Sequence, residues 1–395
     1  MTNEFTATPQ PQEEAVMTAP RRLTVGVPAP MAASADRRFP LTPEGAGMLV
    51  ERGLCVKIEE GAGGTISYTD NRYARAGAEI TTRAEALECD VVISLAPLSP
   101  ADAARLRRGA LLLTLLHPAH QDPHTIDTLL RRHVTAVALD LVEDRRGMPP
   151  FADILAEIDG RAALALASSL LADSETGKGI LLGGVTGIVA CEVTVIGSGI
   201  AACAAARTAI GLGATVRMFD NDVYRLRRAV RELGPAVIGS ALHPHVLENA
   251  LRSADVVITT PVEGRFTVSA EMVSLMKQGV VTMDLTGRSG RMFPSLPAVE
   301  LADAAALRKA LEARTRLCLT NPGAAVGRTA AMALSNTLLT MFDQMLPCEG
   351  VSNALRLMPG LRRAVYTFMG RVVNPVIARC AGGRSTDINI YLTLS

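Results

Sequence analysis

The segment from Val193 to Asp220 reads VTVIGSGIAACAAARTAIGLGATVRMFD. It sets Gly197, Gly199 and Ala202 in the spacing G-x-G-x-x-A, between a β-branched run and an alanine-rich helical stretch. The chemistry of that spacing is phosphate binding. Gly197 permits a tight turn, Gly199 lets backbone approach a pyrophosphate, and the helix beyond presents free amides and the positive end of its dipole. Ala202 falls where helix and strand must pack closely. Asp220 ends the next strand, at the distance where a carboxylate accepts hydrogen bonds from an adenosine ribose; its charge also repels a 2′-phosphate. These residues predict a dinucleotide site that takes NAD in preference to NADP.

His117, His120 and His124, in LLHPAHQDPH, invite a metal reading by their spacing. No cysteine or carboxylate cluster completes a ligand set, and the His-Pro and Asp-Pro pairs break any helix that would align the rings, so no metal is expected. The seven cysteines lie far apart without a C-x-x-C pair, which reads as reduced thiols rather than a disulfide framework or a zinc knuckle.

The elements that must position these groups alternate. From Leu23 to Asp140, short runs (LTVGV, VKIEE, VVISLA, LLLTLL, VTAVALDLV) alternate with helical stretches, and the same alternation resumes at Glu192 and runs to about Thr320. Strand and helix in alternation predict right-handed parallel sheets, so the expected fold is α/β: two Rossmann-like doubly wound parallel-sheet domains with a cleft between them. A long helix is predicted over Phe151 to Asp173 as a bridge. Residues 21–150 with 321–395 are expected to form a discontinuous substrate domain, and 151–320 the NAD-binding domain. The Arg-rich tail is expected to pack back on the first domain.

Composition agrees with that class. Apolar residues make up 48% of the 395 and aromatics only 3%, the filling of helix-covered parallel sheets. A net charge of +1 with scattered arginines argues against a nucleic-acid face and for a small-molecule partner. Residues 1–20 are polar and proline-rich with no apolar core, which reads as a disordered leader, and no apolar run is long enough to span a bilayer. A cytoplasmic protein without membrane contact is expected.

The stretches GKGILLGGVTGI, RMFDNDVYRL, EMVSLMKQGVVTMDL and NPGAAVGRTAAMALSN, together with VGVP, FPLTPEG, EEGAG and YARAGAE nearer the start, resemble the alanine dehydrogenase family over nearly the whole chain. The tail GVSNALRLMPGLRRAVY is similar to a C-terminal extension of a bacterial subgroup. The resemblance implies oxidation of L-alanine by NAD to pyruvate, ammonium and NADH, in a homo-oligomer whose small-molecule partners are an amino acid and its 2-oxo acid. It implies that Arg38, in RRFPLTP, holds the substrate carboxylate, a task suited to a guanidinium fork. By the same resemblance His117 is the acid/base, Arg225 lies near the adenosine ribose, and Asn321, in NPG, reaches the nicotinamide.

Two positions depart from the family pattern. Leu95, in ISLAP, stands where the family has its substrate lysine, and no lysine occurs between Lys57 and Lys178. In MDLTGRSGR, Asp284 keeps the acid at the strand end while Arg288 replaces the aspartate beside the nicotinamide. Loss of the lysine removes a charge-assisted contact worth about 1.5–3 kcal/mol, and an arginine near the oxidised ring disfavours its positive charge. Three functions follow: an amino-acid dehydrogenase with an altered substrate; a non-catalytic NAD-binding regulatory or partner protein; or a nucleotide-binding subunit of proton-translocating transhydrogenase. PAHQDP leans toward the last, and the length of the Val142 to Gly160 segment leans away from it.

Overall fold

The computed structural model describes residues 22–31, 38–287, 290–313 and 315–394. The leader expected over residues 1–20 lies outside them.

The first sheet is built from β1 (Thr24–Val27), β2 (Cys55–Glu59), β3 (Glu79–Thr81), β4 (Val91–Ile93), β5 (Leu111–Thr114) and β6 (Thr135–Ala138). The second uses β7 (Glu192–Ile196), β8 (Thr215–Asp220), β9 (Val237–Ala241), β10 (Val256–Thr259), β11 (Val281–Asp284), β12 (Ala298–Glu300) and β13 (Cys318–Thr320). The tail supplies β14 (Val365–Phe368) and β15 (Arg371–Val372). The spatial orders are β15-β14-β6-β5-β4-β1-β2-β3 and β12-β13-β11-β10-β7-β8-β9. The second sheet is parallel throughout; in the first, β14 runs antiparallel to β6 and β15 antiparallel to β14.

Each sheet is doubly wound, with its first strand in the middle and the chain leaving to both sides. The connections therefore diverge between β1 and β4 and between β7 and β10, and at such switch points a crevice opens beyond the carboxyl ends of the strands. All four residues of β5, β6, β10 and β11 are buried, as strands covered on both faces by helices must be.

The bridging helix, Pro150–Ala172, belongs to both halves. Phe151 and Leu155 near its start pack into the core of the first sheet, whereas Ala163, Leu164, Ala167 and Leu171 pack into that of the second. The helix Gly327–Met345 carries the chain back, burying Leu334, Leu338 and Phe342 in the first core. The tail does more than pack on the first sheet. It adds two strands, β14 with Val365 and Thr367 opposite Val137 and Ala136, and β15 outside it.

Candidate functional site

At the β7/β10 switch point Gly197 has φ +104°, a conformation that side chains resist, and a Cβ there would stand 1.9 Å from Thr260 Oγ1. Thr260 is fixed in turn, its amide and hydroxyl both donating to the Ile196 carbonyl, at 2.8 and 3.1 Å. Gly199 opens on free space, for the one group near a Cβ built there is Nη2 of Arg225, at 3.1 Å. The helix Ile200–Gly211 begins immediately beyond, and Ala202 is buried in the core beneath it. Bare backbone, a helix N-terminus and a guanidinium around open space fit the phosphates and ribose of a dinucleotide.

Asp220 is fully buried at the end of β8. Ser198 Oγ donates to its Oδ2 at 2.5 Å, and the Asp222 amide donates to its Oδ1 at 3.0 Å. Asp222 caps the helix Val223–Leu233 by accepting from the Tyr224 and Arg225 amides, which sets Arg225 in the first turn beside the cradle. Ser198 and Thr260 were not singled out from the sequence; their signals were a hydroxyl between the two glycines and a threonine pair at a strand end.

The far side of this crevice is set by the bridging helix. Gly160 lies so close to the cradle helix that a Cβ would stand 2.1 Å from the Ala201 carbonyl oxygen, and the neighbouring Asp159 accepts the Gly323 amide at 3.0 Å. Gly323 belongs to the turn after β13 that carries Asn321, which holds φ +53°. Asp284 is buried with both oxygens engaged, Oδ1 by the Thr286 amide and Oδ2 by the Met292 amide, so it pins the two ends of the loop between them. Arg288, within that loop, lies outside the described residues.

At the β1/β4 switch point a pocket is lined by Pro28, Pro30, Arg38, Phe39, Leu95 and Leu98 among others. Arg38 and Leu95, far apart in sequence, thus face one space. The Arg38 loop is anchored by Phe39 and Leu41 in the core and by the Tyr73 hydroxyl donating to the Leu41 carbonyl at 2.8 Å. Arg83 also borders the pocket, with its fork committed to the scaffold: Nε and Nη2 donate to Asp102 at 3.0 and 2.9 Å, and Nη1 to Glu59 and the Ala29 carbonyl. That fork holds the Asp102 carboxyl below the usual carboxylate range. Leu95 is 7% exposed and supplies only apolar surface.

His117 does not line this pocket. It follows β5 on the neighbouring loop, tied to the pocket loop by the Leu115 amide donating to the Leu95 carbonyl at 3.3 Å. Its φ of +38° is rare for a residue with a side chain, costing about 1–3 kcal/mol, and survives only where surroundings impose it. They do so here: the preceding amide, of Leu116, donates to Asp140 Oδ1 at 2.8 Å, and the His117 carbonyl accepts from His120 at 2.9 Å. Burial pushes the Asp140 carboxyl above its ordinary pKa against the bond from Leu116. Among the described residues no three histidine, cysteine or acidic side chains gather as a metal would need. No helix among them is long and apolar enough to cross a membrane.

Two doubly wound sheets in one chain, each open at its switch point, define the class of fold: a two-domain α/β protein built on dinucleotide-type sheets. The chain belongs to the alanine dehydrogenase/PNT family, whose N-terminal domain model matches residues 26–157 and whose C-terminal domain model matches 163–375. It is 30% identical to an alanine dehydrogenase of Mycolicibacterium smegmatis over 378 residues, covering 94% of this chain and 100% of the relative. It is 29% identical to that of Bacillus subtilis over 365 residues, 91% and 95% of the two chains. Among solved structures an L-alanine dehydrogenase superposes with a TM-score of 0.78 at 26% identity, covering 91% of this chain and 99% of the other. A transhydrogenase from Sinorhizobium meliloti shares the fold, with a TM-score of 0.67 at 21% identity and coverage of 88% and 99%.

Proposed function

We propose that the protein oxidises L-alanine or a related small amino acid to the 2-oxo acid, with NAD as hydride acceptor. The observation that carries the substrate side is a buried guanidinium, Arg38, in the wall of a largely apolar pocket. A small carboxylate placed there meets a fork that matches its two oxygens, while Leu95, Leu98 and Phe39 exclude water around the α-carbon. NAD, when bound, supplies the acceptor for the hydride that leaves that carbon. Gly197, Gly199 and the head of the cradle helix hold its phosphates, and Asp220 with Arg225 its adenosine ribose. The imidazole of His117, on the loop joined to Leu95, takes the proton released as imine is converted to ketone. Asn321 sits at the nicotinamide end. The protein works in the cytoplasm as a homo-oligomer, with residues 21–150 and 321–395 as the substrate half and 151–320 as the NAD half.

A second reading is favoured by Leu95. With hydrocarbon in place of the family's lysine, the pocket has one fixed charge for substrate fewer, and the protein would bind the nucleotide as a non-catalytic partner or regulator. The two separate in one experiment: absorbance at the NADH band with NAD and L-alanine at alkaline pH, for wild type and Arg38→Ala. Turnover that falls about ten- to a hundredfold in the variant, the weight of a charge-assisted contact, supports the dehydrogenase. A folded, NAD-binding protein silent toward a panel of small amino acids overturns it in favour of the second reading.

A further inference from the structure

We infer, resting on the NAD reading above, that the hydroxyl of Thr286 binds the carboxamide of the nicotinamide and so fixes the ring over the end of β11.

Thr286 lies on the path the cofactor must take. The cradle stands at the end of β7, and Asp220, which takes the adenosine ribose on that reading, ends β8 on one side of it. A dinucleotide laid across a switch point sends its two nucleosides to opposite sides, so the nicotinamide half crosses β10 and β11. The rim there is continuous. The Thr260 amide donates to the Ile196 carbonyl at 2.8 Å, and the Leu285 amide donates to the Thr259 carbonyl at 2.8 Å. Thr286 is the next residue along, two strand spacings from the cradle, about 10 Å.

The polar side chains of that rim are committed to the protein, with one exception. Ser198 Oγ donates to Asp220, Thr260 Oγ1 to the Ile196 carbonyl, and Thr259 Oγ1 to the Met283 carbonyl at 3.3 Å. Asp284 receives the Thr286 and Met292 amides, one on each oxygen. Of these groups only the Thr286 hydroxyl is buried with no partner among the described residues. Its backbone is held by Asp284, so the side chain is not carried off the rim by a turn of the loop. A buried hydroxyl left unbonded is costly, and a ligand that meets it removes that cost. A carboxamide suits it, because the hydroxyl can donate to the amide oxygen or accept from the amide nitrogen.

Thr286→Val keeps the branched shape and removes the hydroxyl; Thr286→Ser keeps the hydroxyl. Full-length wild type and both variants are titrated calorimetrically with NAD and with ADP-ribose, which carries the same phosphates and both riboses but no nicotinamide. We expect Thr286→Val to weaken NAD about fivefold with ADP-ribose held within about twofold, and Thr286→Ser to bind NAD within about twofold of wild type, the weight of one hydrogen bond. The thermal midpoint of nucleotide-free Thr286→Val should not fall, since no bond within the protein is lost. Equal losses for NAD and ADP-ribose, no loss, a serine variant as weak as the valine one, or a lowered midpoint each overturn the inference and leave the cofactor reading standing. A folded wild type that binds neither nucleotide overturns both.

Discussion

The two switch points make a natural comparison. Between β7 and β10 the crevice is lined by backbone, with Gly197 held at positive φ against Thr260 and Gly199 open beside Arg225. Between β1 and β4 it is lined by side chains, a set of prolines and leucines around Arg38. The same winding yields both, and the difference lies in how each ligand is recognised. A pyrophosphate can be held by amides and a helix end, so its site needs little from side chains beyond their absence. A small carboxylate depends on single charged groups, and one exchange such as Leu95 for lysine removes a whole contact. On the proposed reading, the backbone-lined crevice keeps the Gly197, Gly199 and Ala202 pattern of a phosphate cradle, whereas the side-chain-lined one holds Leu95 where the family resemblance implies a charged group.

The sharpest control on that comparison sits at the opposite end of the strands of the second sheet, away from the crevice. Asp255, just before β10, accepts from Lys178 and Lys277, each at 3.0 Å, and from the Glu192 amide at 3.2 Å. Burial alone would raise its pKa, but the two lysines and the amide outweigh it and leave the carboxyl below its ordinary value. Asp255→Ala leaves the half-buried Lys178 and the Glu192 amide without their acceptor, while the exposed Lys277 can turn to solvent, and we expect a loss of about 3 kcal/mol in urea unfolding. Because the folded pKa is depressed, the contribution is fully present above the unfolded value of about 4 and is lost as pH falls through the folded one. The stability curves of wild type and variant should converge in acid. A variant that folds yet has lost nucleotide binding would show that the two ends of the sheet are coupled, which breaks the picture of a self-contained crevice.

Next in size is Gly197→Val. A branched side chain at φ +104° is strained before it meets anything, and its Cβ must displace Thr260, which both its amide and its hydroxyl hold to Ile196. NAD affinity should fall about a hundredfold, with far-UV dichroism intact, since strain and clash together cost a few kcal/mol. Retention of tight binding would mean the phosphates lie elsewhere, and the backbone side of the comparison would fail.

The same contrast explains what could be read before the fold was known. The cradle was legible because backbone chemistry leaves its mark as glycine spacing within one short segment, and the long bridging helix because its apolar pattern runs for many residues. Strands β3, β12 and β13 were not, being three residues each and too short to show a period. Nor could sequence show that Asp140 shapes the turn before His117 or that Asp159 reaches Gly323. Each joins residues distant in the chain, and nothing in the local pattern of either partner announces the other.

The smallest effect tests how the cofactor crevice chooses its ligand. Asp220 is fixed from two sides, by the Ser198 hydroxyl on Oδ2 and the Asp222 amide on Oδ1, and Arg225 stands beside the cradle with a charge that would welcome a phosphate. Discrimination against a 2′-phosphate then depends on the carboxylate staying where it is. Ser198→Ala frees one oxygen while the amide keeps the other, so the carboxylate gains room to turn. NAD affinity should weaken about twofold and NADP affinity should rise about threefold to fivefold, the scale of one modest hydrogen bond. Competition titrations of the two nucleotides read that ratio directly. An unchanged ratio would mean that the charge of Asp220 excludes the phosphate from any rotamer, and that Ser198 serves the fold of the cradle rather than its choice.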